Sequence, residues 1–160
     1  MSTKAKEMQN LIRYYRDSTG KTEVDMKEVA KFAVLKGWKL PPPKDPIDRL
    51  ASEFTKAARD EIRHDKITGK PYRANHAYPV KYGDEQYHLW FDIDEATRTQ
   101  MHKSLIMRRE QMVGDGLQLT LDANHWNSIN PTESPIQIPL DFNDDVNWRL
   151  NAPDENKKAA

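Results

Sequence analysis

The apolar residues of the first forty positions recur at the spacing of amphipathic helices. Residues 5–17 carry a set that follows the i, i+3, i+4, i+7 rule, namely Met8, Leu11, Ile12 and Tyr15. Asp25, followed by Glu28, is typical of a capping box and opens a second helix that runs through Val34. Gly37 and the prolines at 41–43 end that helix. The pattern therefore predicts two short helices followed by a stop.

A third helix is predicted over residues 46–64, where Asp45 supplies the N-cap and Pro46 the first helical position. Its apolar positions form one stripe, made of Ile47, Leu50, Ala51, Phe54, Ala57, Ala58 and Ile62. At about 100° per residue, a second set falls opposite that stripe, made of Arg49, Ser52, Lys56, Arg59 and Arg63. We therefore expect this helix to bury one face and to present arginine and lysine on the other.

After residue 69 the apolar period changes from that of a helix to that of a strand. The alternating positions are Tyr72, Ala74, His76, Tyr78 and Val80, then Tyr87, Leu89, Phe91 and Ile93. The polar residues 81–85 between them contain Gly83 and have the length of a hairpin loop. Because an isolated hairpin is only marginally stable, we expect its apolar face to pack on the second and third helices.

A long fourth helix is predicted over residues 94–127, with Asp94 as its cap. Its apolar residues recur every seven positions, at Leu105, Met112, Leu119 and Trp126. Such a stripe packs into the core of a domain or joins two copies in a dimer, and both alternatives stay open. Gly114 and Gly116 predict a kink or a break, because glycine is costly inside a helix.

The last part of the chain is predicted to be an extended arm over residues 128–150 and a disordered tail over 151–160. Ile136, Ile138 and Leu140 alternate with polar residues, but Pro135 and Pro139 bar a central strand. The sequence therefore predicts an α+β, mainly helical protein with one domain over residues 1–150.

Composition and charge narrow the possible functions. The chain has 160 residues, 25 Lys+Arg, 25 Asp+Glu and no cysteine, which excludes disulfide scaffolds, thiol nucleophiles and thiolate zinc sites. No apolar run approaches the roughly 18 residues of a membrane helix, so we expect a cytoplasmic protein without membrane contact. Residues 1–80 carry an excess of basic residues and residues 81–160 an excess of acidic ones. A split of this kind is typical of a polyanion-binding surface at one end of a chain.

The order of helix, helix, basic-faced helix and hairpin over residues 22–93 resembles the winged helix-turn-helix superfamily. The resemblance implies that helix 46–64 enters the major groove of double-stranded DNA and that the 81–85 loop is the tip of the wing. Two segments, residues 68–73 and 108–111, also resemble parts of bacterial proteins of unknown function, a likeness that implies no activity. Together these features favour a bacterial transcriptional regulator or accessory factor, without enzymatic activity, cofactor or metal.

The expected DNA contacts lie on the third helix and the hairpin. Arg49 and Ser52, near the start of that helix, can reach base edges. The residues expected to neutralise phosphates are Lys56, Arg59, Arg63, Lys66, Lys70 and Arg73.

Two other functions remain open. The acidic C-terminal half, with Asp144 and Asp145 beside Trp148, favours a protein-interaction module that binds a partner's groove. The more distant alternative is a metal-dependent hydrolase or nuclease that uses His76 and His88, although the predicted register places these two histidines on opposite faces of the hairpin.

Overall fold

The computed structural model describes residues 3–153 and confirms an α+β, mainly helical protein. Five helices and two small antiparallel hairpins make up this part of the chain. In chain order the elements are α1 (Lys4–Thr19), α2 (Met26–Leu35), α3 (Pro46–Asp60), β1 (Ile62–His64), β2 (Pro71–Arg73), β3 (Asn75–Tyr82), β4 (Glu85–Asp92), α4 (Arg98–Ile129) and α5 (Asn143–Asn151). None of the helices in residues 3–153 is both long enough and apolar enough to cross a membrane.

The chain divides into two compact units, and the division falls inside α3. The first unit ends at Glu53 and the second begins at Phe54. The residues 22–93 that resemble a winged helix include this division. That resemblance, and the single domain over residues 1–150, stay predictions.

In the first unit, α1 and α2 form and end where the sequence predicts. The carboxylate of Asp25 caps α2 by accepting a hydrogen bond of 2.8 Å from the backbone N–H of Lys27. Gly37 follows α2 with a φ of +92°, a left-handed conformation that favours glycine and ends the helix. The two helices pack through the ring of Phe32, which contacts Tyr14 and Tyr15 at centroid distances of 5.8 and 5.2 Å.

The prediction for α3 is right about its start and wrong about its end. Asp45 caps it by accepting a hydrogen bond of 2.7 Å from the backbone N–H of Ile47, but the helix stops at Asp60. Residues 62–64 form β1 instead, which pairs with β2 in a second hairpin that the sequence did not predict. The reason is a turn at the tip of that hairpin, which reverses the chain so that β1 can pair with β2. In this turn Gly69 has a φ of +70° and its N–H donates a hydrogen bond to the carbonyl of Asp65. The apolar stripe of α3 is not buried either, since Ile47 and Phe54 are largely exposed.

The strands β3 and β4 confirm the predicted hairpin, with a shorter loop than expected. Tyr82 pairs with Glu85, so that only Gly83 and Asp84 form the turn. Gly83 has a φ of +61°, which is the conformation that a type II′ turn needs at its first central position. The expected first strand is divided at the fully buried Ala74, because β2 belongs to the other hairpin.

Within the second unit, the helix that packs on this hairpin is α4, a contact that the sequence did not predict. The hydroxyl of Ser104, which is buried, donates a hydrogen bond of 3.3 Å to the carbonyl of Ala77. That carbonyl points away from β4, since Ala77 lies between residues that bond across the hairpin. α4 therefore lies along the outer edge of β3. The last turn of the third helix contacts the start of the hairpin, where the carbonyl of Ala58 accepts a hydrogen bond from the side chain of Asn75.

α4 is one continuous helix, and its start differs from the prediction. Thr97 is the N-cap and forms a reciprocal capping box with Gln100, while Asp94 binds other residues. No break occurs at Gly114 or Gly116. A Cβ atom on Gly116 would lie 3.8 Å from both methyl groups of Leu140, which is an ordinary van der Waals distance, so the following segment lies against the helix at this point.

The segment over residues 130–142 has the extended character that was predicted and runs back along the C-terminal half of α4. The side chain of Asn127 holds it by bonding both the carbonyl and the N–H of Ile136, at 2.9 and 2.8 Å. We call residues 130–142 the arm. The prediction that it continues to residue 150 is wrong, because residues 143–151 form α5. Of the predicted disordered tail, residues 154–160 lie outside the described part of the chain.

Candidate nucleic-acid interface

A groove of about 340 Å³ lies in the second unit, between the last turn of α3, one face of the β3–β4 hairpin and the N-terminal half of α4. Its lining is mostly polar and basic and consists of Arg59, Arg73, Asn75, His76, Ala77, Pro79, Gln86, His88, Trp90, Ser104, Met107, Arg108 and Gln111. This lining contains no aspartate or glutamate. The groove therefore concentrates positive charge in a concave surface.

Three arginines from three different elements supply that charge. Arg59 lies on α3 and its guanidinium is 5.9 Å from the ring centre of Trp90. Arg73 ends β2, and Arg108 lies on α4. Within residues 3–153, none of the three forms an ion pair with a carboxylate. Their charges are thus available to an anionic ligand.

The ring of Trp90 forms part of one wall and is 37% exposed. It lies on the same face of the hairpin as Ala77 and His88, since these positions share the strand parity. Gln86 and Gln111 add side-chain amide donors to the lining. The groove can therefore offer charge-assisted hydrogen bonds to an anion and a partly exposed aromatic ring to a flat group.

His76 supports the groove from within and is nearly buried. Its Nε2 lies 3.0 Å from the carbonyl of Arg73, and because a carbonyl only accepts, this nitrogen carries the hydrogen. Its ring stacks on Phe91 at 5.9 Å. The register places His76 and His88 on opposite faces, as predicted. No group of three His, Cys, Asp or Glu side chains in the described part of the chain is arranged to hold a metal ion.

Arg63, an expected phosphate contact, lies among carboxylates instead. It lies on β1 and forms ion pairs of 3.0, 2.8 and 2.8 Å with Glu61, Asp92 and Asp94. The hydrogen bond from Arg63 is the largest cause that lowers the pKa of Asp92, followed by the backbone N–H of Asp94. The pKa of Glu61 is lowered first by the hydrogen bond from Asn75 and then by Arg63. The charge of Arg63 is thus neutralised within the protein.

The remaining predicted contacts lie at separate places. Arg49, Ser52 and Lys56 are exposed on α3, where the hydroxyl of Ser52 donates to the carbonyl of Asp48 at 2.9 Å. Lys66 and Lys70 lie near the tip of the β1–β2 hairpin and line a second cavity with Asp65 and Tyr72. The Nζ of Lys70 also donates a hydrogen bond to the carbonyl of Leu150. Of the eight predicted residues, the groove brings together only Arg59 and Arg73.

The tip of the β1–β2 hairpin is held by hydrogen bonds to Asp65 and carries Lys66 and Lys70. The carboxylate of Asp65 accepts hydrogen bonds of 2.8 Å from the backbone N–H groups of both Ile67 and Thr68, and these bonds lower its pKa. The turn presents Ile67, which is 95% exposed, beside Lys66. The tip of the other hairpin carries Asp84 and Glu85 and is acidic. The basic hairpin is therefore the one that directly follows α3.

Trp90 and Arg108 are two groove residues that the sequence analysis did not name as site residues. Trp90 falls on the polar side of the alternating pattern in β4, and an exposed tryptophan at such a position is a signal for binding. Arg108 gives no such signal, because its place in the groove depends on how α4 crosses the hairpin.

Comparison with known proteins assigns no family. No family model, no curated protein and no solved structure matches this chain.

Proposed function

We propose that this protein binds nucleic acid, with double-stranded DNA as its ligand, and that the three arginines of the groove contact phosphates of the DNA backbone. The observation that carries the proposal is the set of three unpaired arginines, Arg59, Arg73 and Arg108, in a concave surface without carboxylates. Arginine presents a planar fork of donors that matches the oxygens of a phosphate. Such contacts position a protein on DNA and give affinity without sequence specificity.

The rest of the basic surface extends this contact. Lys56 lies on α3, one turn before Arg59, and is exposed with no ion pair among the described residues. The basic tip formed by Lys66 and Ile67 offers a charged projection that follows α3 in the chain, as the wing does in a winged helix. In this proposal the β1–β2 hairpin, rather than the acidic 81–85 loop, contacts the DNA backbone. A regulatory or accessory role in bacterial transcription is the setting that fits such binding.

A protein-interaction module is the second candidate, and one observation favours it. Trp148 on α5 is 73% exposed, and the same helix begins with Asp144 and Asp145. An exposed tryptophan beside carboxylates is suited to a basic, apolar groove on a partner. The two functions differ in their ligand and are separated by the experiment below.

The test is fluorescence anisotropy of a labelled DNA duplex with the full chain at two salt concentrations. Phosphate contacts by the three groove arginines alone predict that affinity falls about 40-fold between roughly 50 and 200 mM salt. Replacing Arg59, Arg73 and Arg108 together by glutamine should remove this part of the salt dependence along with most of the affinity. The thermal midpoint should change little, because none of the three forms an ion pair within residues 3–153.

The matched control removes three exposed cations far along the sequence from the groove residues. Arg13→Gln, Lys21→Gln and Lys27→Gln change the net charge by the same amount and should leave DNA affinity within about twofold. Equal losses in both triple variants would mean that only the overall charge matters and would contradict a specific groove. No binding by the unaltered protein at low salt would overturn the DNA proposal and direct attention to Trp148.

A further inference from the structure

The helix α4 carries large apolar residues on more sides than its neighbours cover. The hairpin contacts it near Ser104 and Met107, and the arm contacts it near Gly116 and Asn127. Nine large apolar side chains of α4 stay more than a third exposed, namely Leu105, Ile106, Met112, Val113, Leu117, Leu119, Leu121, Trp126 and Ile129. An apolar stripe on a helix normally packs against another element.

These residues form two stripes that flank the arm. At about 100° per residue, the first stripe of Leu105, Met112, Leu119 and Trp126 lies on one side of the line from Gly116 to Asn127. The second stripe lies on the other side and consists of Ile106, Val113, Leu117 and Leu121. The arm itself leaves Ile136, Ile138, Leu140 and Phe142 about half exposed. α4 and the arm thus form one continuous apolar surface, which we call the α4–arm face.

Charge along this face changes sign near its middle. The basic residues of α4 are Arg98, Lys103, Arg108 and Arg109, and all of them precede Glu110. From residue 110 to residue 148 the chain contains no lysine or arginine and seven carboxylates, which are Glu110, Asp115, Asp122, Glu133, Asp141, Asp144 and Asp145. One end of the face is therefore basic and the other acidic.

We propose that the occupant of the α4–arm face is a second copy of this chain, with the two α4 helices antiparallel. A parallel pair would bring like charges together along its whole length, whereas an antiparallel pair places the basic half of each copy against the acidic half of the other. Such a pair is related by a two-fold axis and closes on itself, so that no further copies add. This proposal does not depend on the DNA-binding function.

The positions along α4 are consistent with a two-fold axis near Met112. Leu105 and Leu119 each lie seven residues from Met112, so that each would meet the other across the axis. Arg109 and Asp115 each lie three residues from it and would come to the same level in the two copies. One register therefore aligns the apolar stripe and brings opposite charges to the same level along the helices.

The exposed apolar area near Met112 is at the lower end of the range for a specific interface. The first stripe and the arm together have eight large apolar residues that are between about two fifths and one half exposed. At roughly 80 Å² of exposed apolar surface each, they offer about 640 Å² per copy, or about 1,300 Å² in total. Specific, stable complexes bury about 1,200–2,000 Å² in total. The second stripe lies on the other side of α4 and is not counted here.

The first test is the molar mass of the full chain by light scattering after gel filtration. We expect a dimer, and Met112→Glu should convert it to a monomer because it places two carboxylates at the axis. Arg13→Glu, on α1, is the control and should leave the dimer intact. A monomer at about 200 µM protein, or a dimer unaffected by Met112→Glu, would overturn the proposal.

The second test determines the direction of the helices and uses the absence of cysteine from the sequence. Under mild oxidation Met112→Cys should form a disulfide-linked dimer. Leu105→Cys alone should not, because an antiparallel pair separates its two copies by about 21 Å along the helix. A mixture of Leu105→Cys and Leu119→Cys should cross-link. Efficient cross-linking of Leu105→Cys with itself would show a parallel pair and contradict the proposal.

Discussion

At the scale of single residues, Arg63 was predicted to contact DNA phosphate but binds carboxylates of the protein itself. In the sequence it continues the basic side of α3, but in the structure it lies on β1 and bonds Glu61, Asp92 and Asp94. Its side chain is one third exposed, and it joins the start of the β1–β2 hairpin to the end of the β3–β4 hairpin. The hydroxyl of Tyr72 donates to the same Asp94, at 3.1 Å. Arg63 therefore stabilises the fold rather than the ligand.

Replacing Arg63 should affect stability and spare DNA binding. Arg63→Gln removes the partner of three carboxylates, so we expect the thermal midpoint to fall by a few degrees while DNA affinity stays within about twofold. Arg59→Gln should do the reverse. Circular dichroism and anisotropy on the same samples check both. If Arg63→Gln lost DNA binding while its thermal midpoint stayed unchanged, Arg63 would be a DNA contact after all.

The same cluster predicts how stability depends on pH. The pKa values of Asp92 and Glu61 are lowered in the folded protein from ordinary values of 3.8 and 4.5. In acid the unfolded chain therefore binds protons before the folded one, and stability is lost as the pH falls through the ordinary pKa values and then the lowered ones. Above about pH 5 this contribution is complete. Urea unfolding between pH 3 and pH 7 should show the loss, and Arg63→Gln should make the curve flatter.

At the scale of elements, replacing two glycines by alanine is expected to change stability in opposite directions. Gly83 has a φ of +61° in its turn, so Gly83→Ala strains the backbone and should cost about 1 kcal/mol. Gly114 lies in α4, and a Cβ there would meet nothing within 4 Å. Gly114→Ala should therefore stabilise the protein by about 0.5–1 kcal/mol. Thermal unfolding measures both changes in the free energy of unfolding. If both variants were stabilised, or both destabilised, these two expectations would not both hold.

The clamp between Asn127 and the arm makes a further prediction. Asn127→Ala removes both hydrogen bonds to Ile136 and should cost about 1–2 kcal/mol. Asn127→Asp keeps the acceptor and loses the donor, so its effect should be smaller. Hydrogen exchange should become faster over residues 130–142 in both variants. Unchanged exchange in Asn127→Ala would mean that apolar contacts alone hold the arm.

The sequence predicted elements whose signals are local and missed those that depend on distant partners. Asp25 and Gly37 determine the ends of α2 through their own backbone, so they could be read directly. The strand β1 was missed because Ile62 continues the helical stripe, and only pairing with β2 makes it a strand. Asp94 and Thr97 are both good caps, and the choice depends on Arg63 occupying Asp94. For the same reason the site prediction included Arg59 and Arg73 but not Arg108.

At the scale of the whole molecule, the described chain buries very few side chains. Among residues 3–153 only Val29, Ala33, Ala74, His76 and Ser104 are buried, although a chain of this size can bury a substantial core. Much of the apolar surface is therefore available for association. The α4–arm face contains a large share of it.

If association supplies part of the stability, the thermal midpoint must depend on protein concentration. Dimerisation stabilises the folded form by mass action, so we expect the midpoint to rise by several degrees between about 2 and 100 µM. Met112→Glu should abolish the dependence and leave the midpoint at its low-concentration value. Differential scanning calorimetry over this range checks it, and a constant midpoint for the unaltered chain would contradict a dimer-stabilised fold.

The position of α4 along the outer edge of β3 also bears on the fate of the chain when it is damaged. An open strand edge is a template for amyloid-like pairing with other chains, and proteins guard such edges. Two features protect the edge of β3. Pro79 has no N–H to donate, and the carbonyl of Ala77 already accepts a hydrogen bond from the hydroxyl of Ser104. Proteolytic loss of α4 would remove the hydrogen bond from Ser104. It would leave an aromatic hairpin whose outer edge is protected at Pro79 alone. Fragments that end before residue 98 should accordingly form fibrils while the intact protein stays dispersed.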